Sequence, residues 1–341
     1  MTQAELRRVR RTNWEAAVKL VDKTLRAGYS IVTPDDEAFP SRLTHIYGRP
    51  CCLYMAGTLP PVEQTATITI VGTRKPTVYG RRAAEEIASR LAEAGAIVVS
   101  GFAYGIDEAA HEGALKAGGI TVAVLACGLD INYPAEHAAL RRQICESGGC
   151  LLTEYPLGQE VQPKHFRVRN RLLSGLSLGV TVVEAGEKSG ALITAGHALE
   201  QGRDVFAVPG DIYNPLAIGS NRLIKEGATP VQNAEDILGE YRLFYPDKMK
   251  RPVHKEAECA NDKYTSGTAV GNMQAAPPKL PDWVEGVTRE VYECLGASPC
   301  TASEIAARTG RSLCDVLPAL TRLELEGLVR AHAGGAFTRR P

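Results

Sequence analysis

The sequence predicts an α/β protein: a doubly wound, extended Rossmann-like parallel sheet with a small N-terminal segment and a C-terminal winged-helix-like domain. Three observations predict it. Two short β-branched runs, Ile68–Val71 and Ala96–Val99, each break into glycine plus a polar residue, and an amphipathic stretch from Arg81 to Ala94 separates them. That is the sequence form of a βαβ unit. The same rhythm of strand and helix continues to about residue 240, which implies a parallel sheet covered on both faces. Beyond about residue 280 the pattern becomes three helical stretches and a hairpin.

Taken in order, residues 1–60 form the N-terminal helical segment. Arg7, Arg8, Arg10 and Arg11 open it, and a helix from Trp14 to Ala27 stops at Gly28. The arginine cluster reads first as a solvated terminus. Residues 61–240 carry the main domain. After the first unit come a strand at Ile120–Leu125, a helix near Ala135–Ser147 and a short strand at Leu151–Thr153. A basic loop then leads into a helix from Asn170 to Leu178. A strand at Val180–Val183, a helix at Ala191–Gln201 and a strand at Val205–Ala207 follow, and a helix at Asn221–Glu226 and a short strand near Pro230 complete about seven strands. Residues 241–280, rich in proline and polar residues without apolar period, read as a flexible linker. In residues 281–341, Thr301 and Glu304 form a capping box between helices at Trp283–Leu295 and Ser312–Glu326, and the hairpin turns at Gly334-Gly335.

Composition narrows the function classes. Lys+Arg and Asp+Glu both number 39 in 341 residues, so no global field advertises a polyanion and any such partner must be held by a local cluster. The nine cysteines are scattered with no C-x-x-C pair, which favours buried free thiols over zinc or disulfides and points to a reducing compartment. No residue pattern asks for a metal or cofactor. The start lacks a signal-peptide core and no apolar run approaches a membrane span, so a cytoplasmic location is expected.

In open parallel sheets ligands collect beyond the carboxyl ends of the strands. Those loops hold Gly72-Thr73-Arg74, Ser100-Gly101, Cys127-Gly128 and Lys188-Ser189-Gly190. The last opens a helix, whose free N–H groups and positive dipole end suit a phosphate. The sharpest signal is Lys164-His165-Phe166-Arg167-Val168-Arg169-Asn170-Arg171, four cations and one ring with no carboxylate between Glu160 and Glu184. A one-sign cluster beside an aromatic ring is how single strands are held, phosphates on Arg or Lys and a base on the ring. A nicotinamide dehydrogenase is excluded, because Gly72-Thr73-Arg74-Lys75-Pro76-Thr77 is not G-x-G-x-x-G. An enzyme acting on a nucleotide or nucleoside phosphate is the other class open. It would need a carboxylate over the phosphate pocket, and the first turn after Gly190 supplies none. Asp107 and Glu184, the acids at strand ends, read as a cap or as ion-pair partners of the arginines.

At these residues the chain resembles the DNA-processing protein A family (DprA, also called Smf). The resemblance runs from Phe39 to Leu238 through Val71-Gly72-Thr73-Arg74, Ser100–Asp107 with Ala110-His111, Phe166 with Arg169-Asn170-Arg171, Val183-Glu184-Ala185, Ser189–Ala195 and Val205–Gly210. It implies a protein that binds single-stranded DNA in natural transformation, protects it and loads the RecA recombinase onto it, with no catalytic residue. By motif, Arg74, Lys164, Arg169, Arg171 and Lys188 would line the DNA pocket, with Gly190 at a phosphate-binding helix start. Arg167 stands where the family usually has proline. The related nucleotide phosphoribohydrolases carry P-G-G-x-G-T-x-x-E, whose glycine pair and glutamate are absent here. The resemblance also implies a homodimer through the later part of the main domain.

Overall fold

The computed structural model describes residues 13–242, 244–245, 285–295, 300–326, 328–332 and 336–339. The Arg7–Arg11 cluster and nearly all of the expected linker lie outside the described residues. Two units separate, the first ending at Ala257 and the second beginning at Glu258.

The first unit opens with α1 (Trp14–Arg26), capped by the Asn13 side chain, which accepts from Ala16 N at 3.1 Å. Strands β1 (Ser30–Val32) and β2 (Leu53–Gly57) follow. Then come β3 (Thr67–Val71), α2 (Val78–Glu93), β4 (Ile97–Ser100), α3 (Ile106–Lys116), β5 (Thr121–Val124), α4 (Ala138–Glu146) and β6 (Cys150–Thr153). The second half holds α5 (Pro163–Leu176), β7 (Gly179–Val182), α6 (Gly190–Glu200), β8 (Asp204–Ala207), α7 (Ile218–Lys225), β9 (Thr229–Pro230) and α8 (Ala234–Tyr241). The sheet order is β1-β2-β6-β5-β4-β3-β7-β8-β9. Every pairing from β6 to β9 is parallel, as the βαβ rhythm predicts.

Two strands were not foreseen. The segment expected to be helical contributes β1 and β2, which extend the sheet antiparallel beyond β6 through Tyr54 opposite Thr153 and Met55 opposite Leu152. The physical reason is cover for an edge: β6 is buried along its length, and the apolar Leu53, Tyr54 and Met55 close it.

Alternation places the core on both faces. Ile68, Ile70 and Val98 meet Ala84, Ile87 and Leu91 of α2, Ala109 and Ala110 of α3, and Ile237 of α8. On the other face Val71, Val99, Val122 and Val180 meet Leu172, Leu173 and Leu176 of α5 and Ala191 and Ala195 of α6. Each fully buried Ile or Leu contributes about 1.5–3 kcal/mol. The layer is tight, so the loops it carries are fixed.

The second unit has α9 (Gly286–Cys294), β10 (Cys300–Thr301), α10 (Ala302–Thr309), α11 (Leu313–Leu325), β11 (Val329–His332) and β12 (Ala336–Arg339), with the antiparallel order β10-β12-β11. Its own core joins Val291, Ile305, Val316, Leu320, Leu323 and Val329. The Thr301 capping box forms as expected, with Thr301 N donating to Glu304 Oε2 at 2.8 Å. The described cysteines are free thiols, and Cys127, Cys150 and Cys300 are buried while Cys51 and Cys314 are exposed.

Candidate nucleic-acid interface

The loops after β3, β4 and β7 meet at the carboxyl edge of the sheet, stitched by backbone. Thr73 N donates to Glu184 O at 2.7 Å, Ile106 N donates to Thr73 O at 3.2 Å, and the Ser100 hydroxyl donates to Ile70 O at 2.6 Å. Gly72 is required by this closeness, since a Cβ there would lie 2.6 Å from Ile106 Cγ1. Glu184 is a cap: its Oε2 accepts Thr77 N at 2.9 Å and its Oε1 accepts the Thr77 hydroxyl at 2.5 Å, at the start of α2.

The run read as a basic loop is helix. α5 begins at Pro163, not Asn170, because proline fits the first helical position, where no N–H partner is needed. Helical geometry, at 100° per residue, then sends the four cations in different directions. Lys164 and Arg167 are exposed. Arg169, only 3% exposed, points inward. Arg171 turns the other way, its Nη1 and Nη2 both 2.6 Å from the Glu154 carboxylate, with Gly48 O at 2.7 Å from Nη2.

Arg169 holds the carboxyl edge together. Its Nη1 donates to Gly101 O at 2.5 Å and to Val124 O, so it ties the ends of β4 and β5 to α5. Asp107 faces it across Gly101, where a Cβ would meet Arg169 Nη2 and Asp107 Oδ2 at 2.6 Å each. Burial pushes the Asp107 carboxyl up, against the pull of Arg169 and of the Ala103 N–H. Burial likewise lowers the Arg169 guanidinium to about 10, which leaves it charged at neutral pH. Asn170 accepts from Arg169 Nε at 3.3 Å and donates to Gly190 O at 3.2 Å, linking the buried cation to the start of α6. Ser189 caps that helix by accepting Ala191 N at 3.3 Å.

These groups line one cleft of about 370 Å³. It brings together Gly72, Thr73, Arg74, Phe166, Arg169, Asn170, Lys188, Ser189 and Gly190. Ser100 and Gly101 sit behind it as supports of Arg169 and β3, Lys164 stands outside on the first turn of α5, and Arg171 is engaged with Glu154. The Arg74 guanidinium stacks over the Phe166 ring, 4.2 Å from its centre. None of the ion pairs among the described residues takes Arg74, Lys164, Arg167 or Lys188. The lining also includes Asp107, Leu173, Thr194 and Leu216, which sequence reasoning did not place there. For Leu173 the signal was present: His165, Arg169, Leu172, Leu173 and Leu176 recur at helical spacing. Among the described residues no cluster of three or more His, Cys, Asp or Glu could hold a metal ion, and no helix is long and apolar enough to cross a membrane.

Comparison with known proteins agrees with this geometry. Residues 30–242 match the family described as DNA recombination-mediator protein A, and residues 274–335 match the DprA winged helix domain. DNA processing protein DprA of Bacillus subtilis is 41% identical over 213 residues, covering 62% of this chain and 71% of the relative. Protein Smf of Escherichia coli is 34% identical over 307 residues, covering 90% and 76%. Among solved structures, DprA of Streptococcus pneumoniae superposes with a TM-score of 0.63 at 37% identity, covering 69% of this chain and 80% of that one. DNA processing protein A of Helicobacter pylori, whose structure describes a single-stranded DNA binding mode, gives 0.58 at 29% identity over 64% and 97%. With a family match across the whole sheet and relatives aligned over most of their length, this chain belongs to the DNA recombination-mediator protein A (DprA/Smf) family.

Proposed function

We propose that this chain binds single-stranded DNA in the carboxyl-edge cleft, protects it during natural transformation and loads the RecA recombinase onto it. The observation that carries the binding reading is one cleft holding two cations free of ion pairs, Arg74 and Lys188, with the Phe166 ring and the capped start of α6. Cations and helix N–H groups take phosphates, and a ring takes a base without reading sequence. A ring and helix-start N–H groups read no duplex groove, so single strands are preferred. The H. pylori relative supports the same substrate. Protection and RecA loading rest on family membership.

The protein acts as a binder and not as an enzyme. The Glu184 oxygens are taken up by Thr77, and Asp107 lies buried against Arg169, so neither is poised to attack a nucleotide. The third acid, Glu187, stands exposed on the cleft wall next to Lys188. A homodimer through the later part of the domain would use its exposed apolar side chains, Leu199, Ile212, Tyr213 and Ile218.

The test is titration of a fluorescent single-stranded oligonucleotide over a salt series, with duplex for comparison. Tighter single-strand binding, falling by ~0.7 logarithmic units per phosphate contact, is expected. Equal affinity for duplex would overturn the reading, and base release from a nucleoside phosphate would assign the cleft to hydrolysis.

A further inference from the structure

A row of aromatic rings continues past the cleft. Phe166 on α5 lies 5.8 Å from Tyr133, in the loop after β5, and Tyr133 lies 6.3 Å from Tyr104, in the loop after β4. Both loops leave the same carboxyl edge as Arg74, because β3, β4 and β5 are adjacent and parallel. Tyr104 is 38% exposed although it stands over a packed floor. Beneath it the fully buried Phe102 meets His137 edge-on at 5.5 Å and His111 at 5.7 Å. Phe102 takes φ +57°, an unusual conformation for an aromatic residue that only fixed surroundings maintain. The loop carrying Tyr104 is therefore held firmly. The Tyr104 ring also packs on His137 at 5.3 Å, and its hydroxyl donates to Glu136 Oε2 at 2.7 Å.

We propose that Tyr104 and Tyr133 form an outer base platform, on which the single strand leaving the cleft past Phe166 lays a further nucleobase. This deepens the single-strand reading and rests on it. The charge around the platform says which part of the strand it takes. Glu136 and Glu108 flank Tyr104, and Glu108 is already shared by Arg81 and His137. Carboxylates there repel phosphate, whereas a neutral base carries no charge for them to repel and can stack on the exposed Tyr104 ring. The cleft binds backbone and one base; the platform binds base alone.

The platform makes affinity depend on strand length. In a ladder of oligo(dT) lengths read by fluorescence anisotropy, the shortest oligomers that bind fill the cleft, and longer ones gain the platform. Tyr104→Ala should leave the shortest oligomers unaffected and weaken the longer ones by at least about fivefold, the loss of one stacked base. Tyr104→Phe, which keeps the ring and drops the hydroxyl, should restore wild-type behaviour. An equal loss at every length, no loss at any length, or a Phe variant as weak as the Ala variant would overturn the platform while leaving cleft binding standing. A wild-type chain that bound no single strand would overturn the binding reading itself, and the platform with it.

Discussion

Three arginines on or near one helix have three different jobs, and the difference lies in what each guanidinium touches. Arg74 is exposed and stacks on the Phe166 ring, so Arg74→Ala should lower stability only slightly, by the ~0.5–1 kcal/mol of an exposed cation–π contact. It should cost about tenfold in single-strand affinity, the worth of one charged hydrogen bond, and lower the salt slope by ~0.7. Arg169 is buried and braces Gly101 and Val124, so Arg169→Ala should lose both binding and about 3 kcal/mol of stability, with the Asp107 carboxylate left uncompensated. Arg169→Lys should recover only part, since an ammonium could meet the two carbonyls but lacks the Nε–H that also reaches Asn170 Oδ1. Arg171 is bidentate with Glu154, so Arg171→Ala should lower stability with little change in affinity. Thermal melts paired with titrations separate the three, and a silent Arg74→Ala would remove the cleft from consideration.

α5 decides how much of the site was legible. The strands and their glycine breaks could be read locally, because alternation and β-branching are local properties, and Gly72, Arg74, Lys188 and Gly190 followed from them. The helical start at Pro163 was hidden, because a carboxylate-free cationic run reads as a loop when its apolar partners, Leu172, Leu173 and Leu176, come only later. The burial of Arg169 and the diversion of Arg171 to Glu154 were not legible at all, since both depend on groups distant in sequence. β2 was missed for the same reason, since it pairs Tyr54 with Thr153, residues far apart in sequence. The helix also carries a cost. Its first turn has no acidic residue, and Lys164 sits where the dipole favours an anion. Lys164→Glu should therefore raise stability by about 0.5 kcal/mol while weakening single-strand binding. If that variant bound as well as the wild type, the exposed face of α5 would lie off the strand's path.

Each of the two units has a core of its own, and the last described residues of the first are held by aromatic contacts. Tyr241 is buried, its ring edge-on to Phe206 at 6.3 Å and its hydroxyl donating to Asp204 Oδ2 at 2.5 Å. Four residues on, the Tyr245 hydroxyl accepts from Arg42 Nη2 at 3.0 Å, and Arg42 itself reaches Leu176 O at the end of α5. The packed chain thus runs a few residues into the segment whose composition reads as linker. A chain ending at Tyr245 should fold, melt cooperatively and keep the single-strand affinity of the full chain, because every cleft residue and its supports lie before that point. A chain ending at Gly239 removes Tyr241 and should lose about 3 kcal/mol, the cost of emptying a buried aromatic site. Calorimetry and the same oligonucleotide titration read both. If the Tyr245 chain folded but bound much more weakly, the winged-helix unit would hold part of the strand; if it failed to fold, that unit would be part of the first unit's stability.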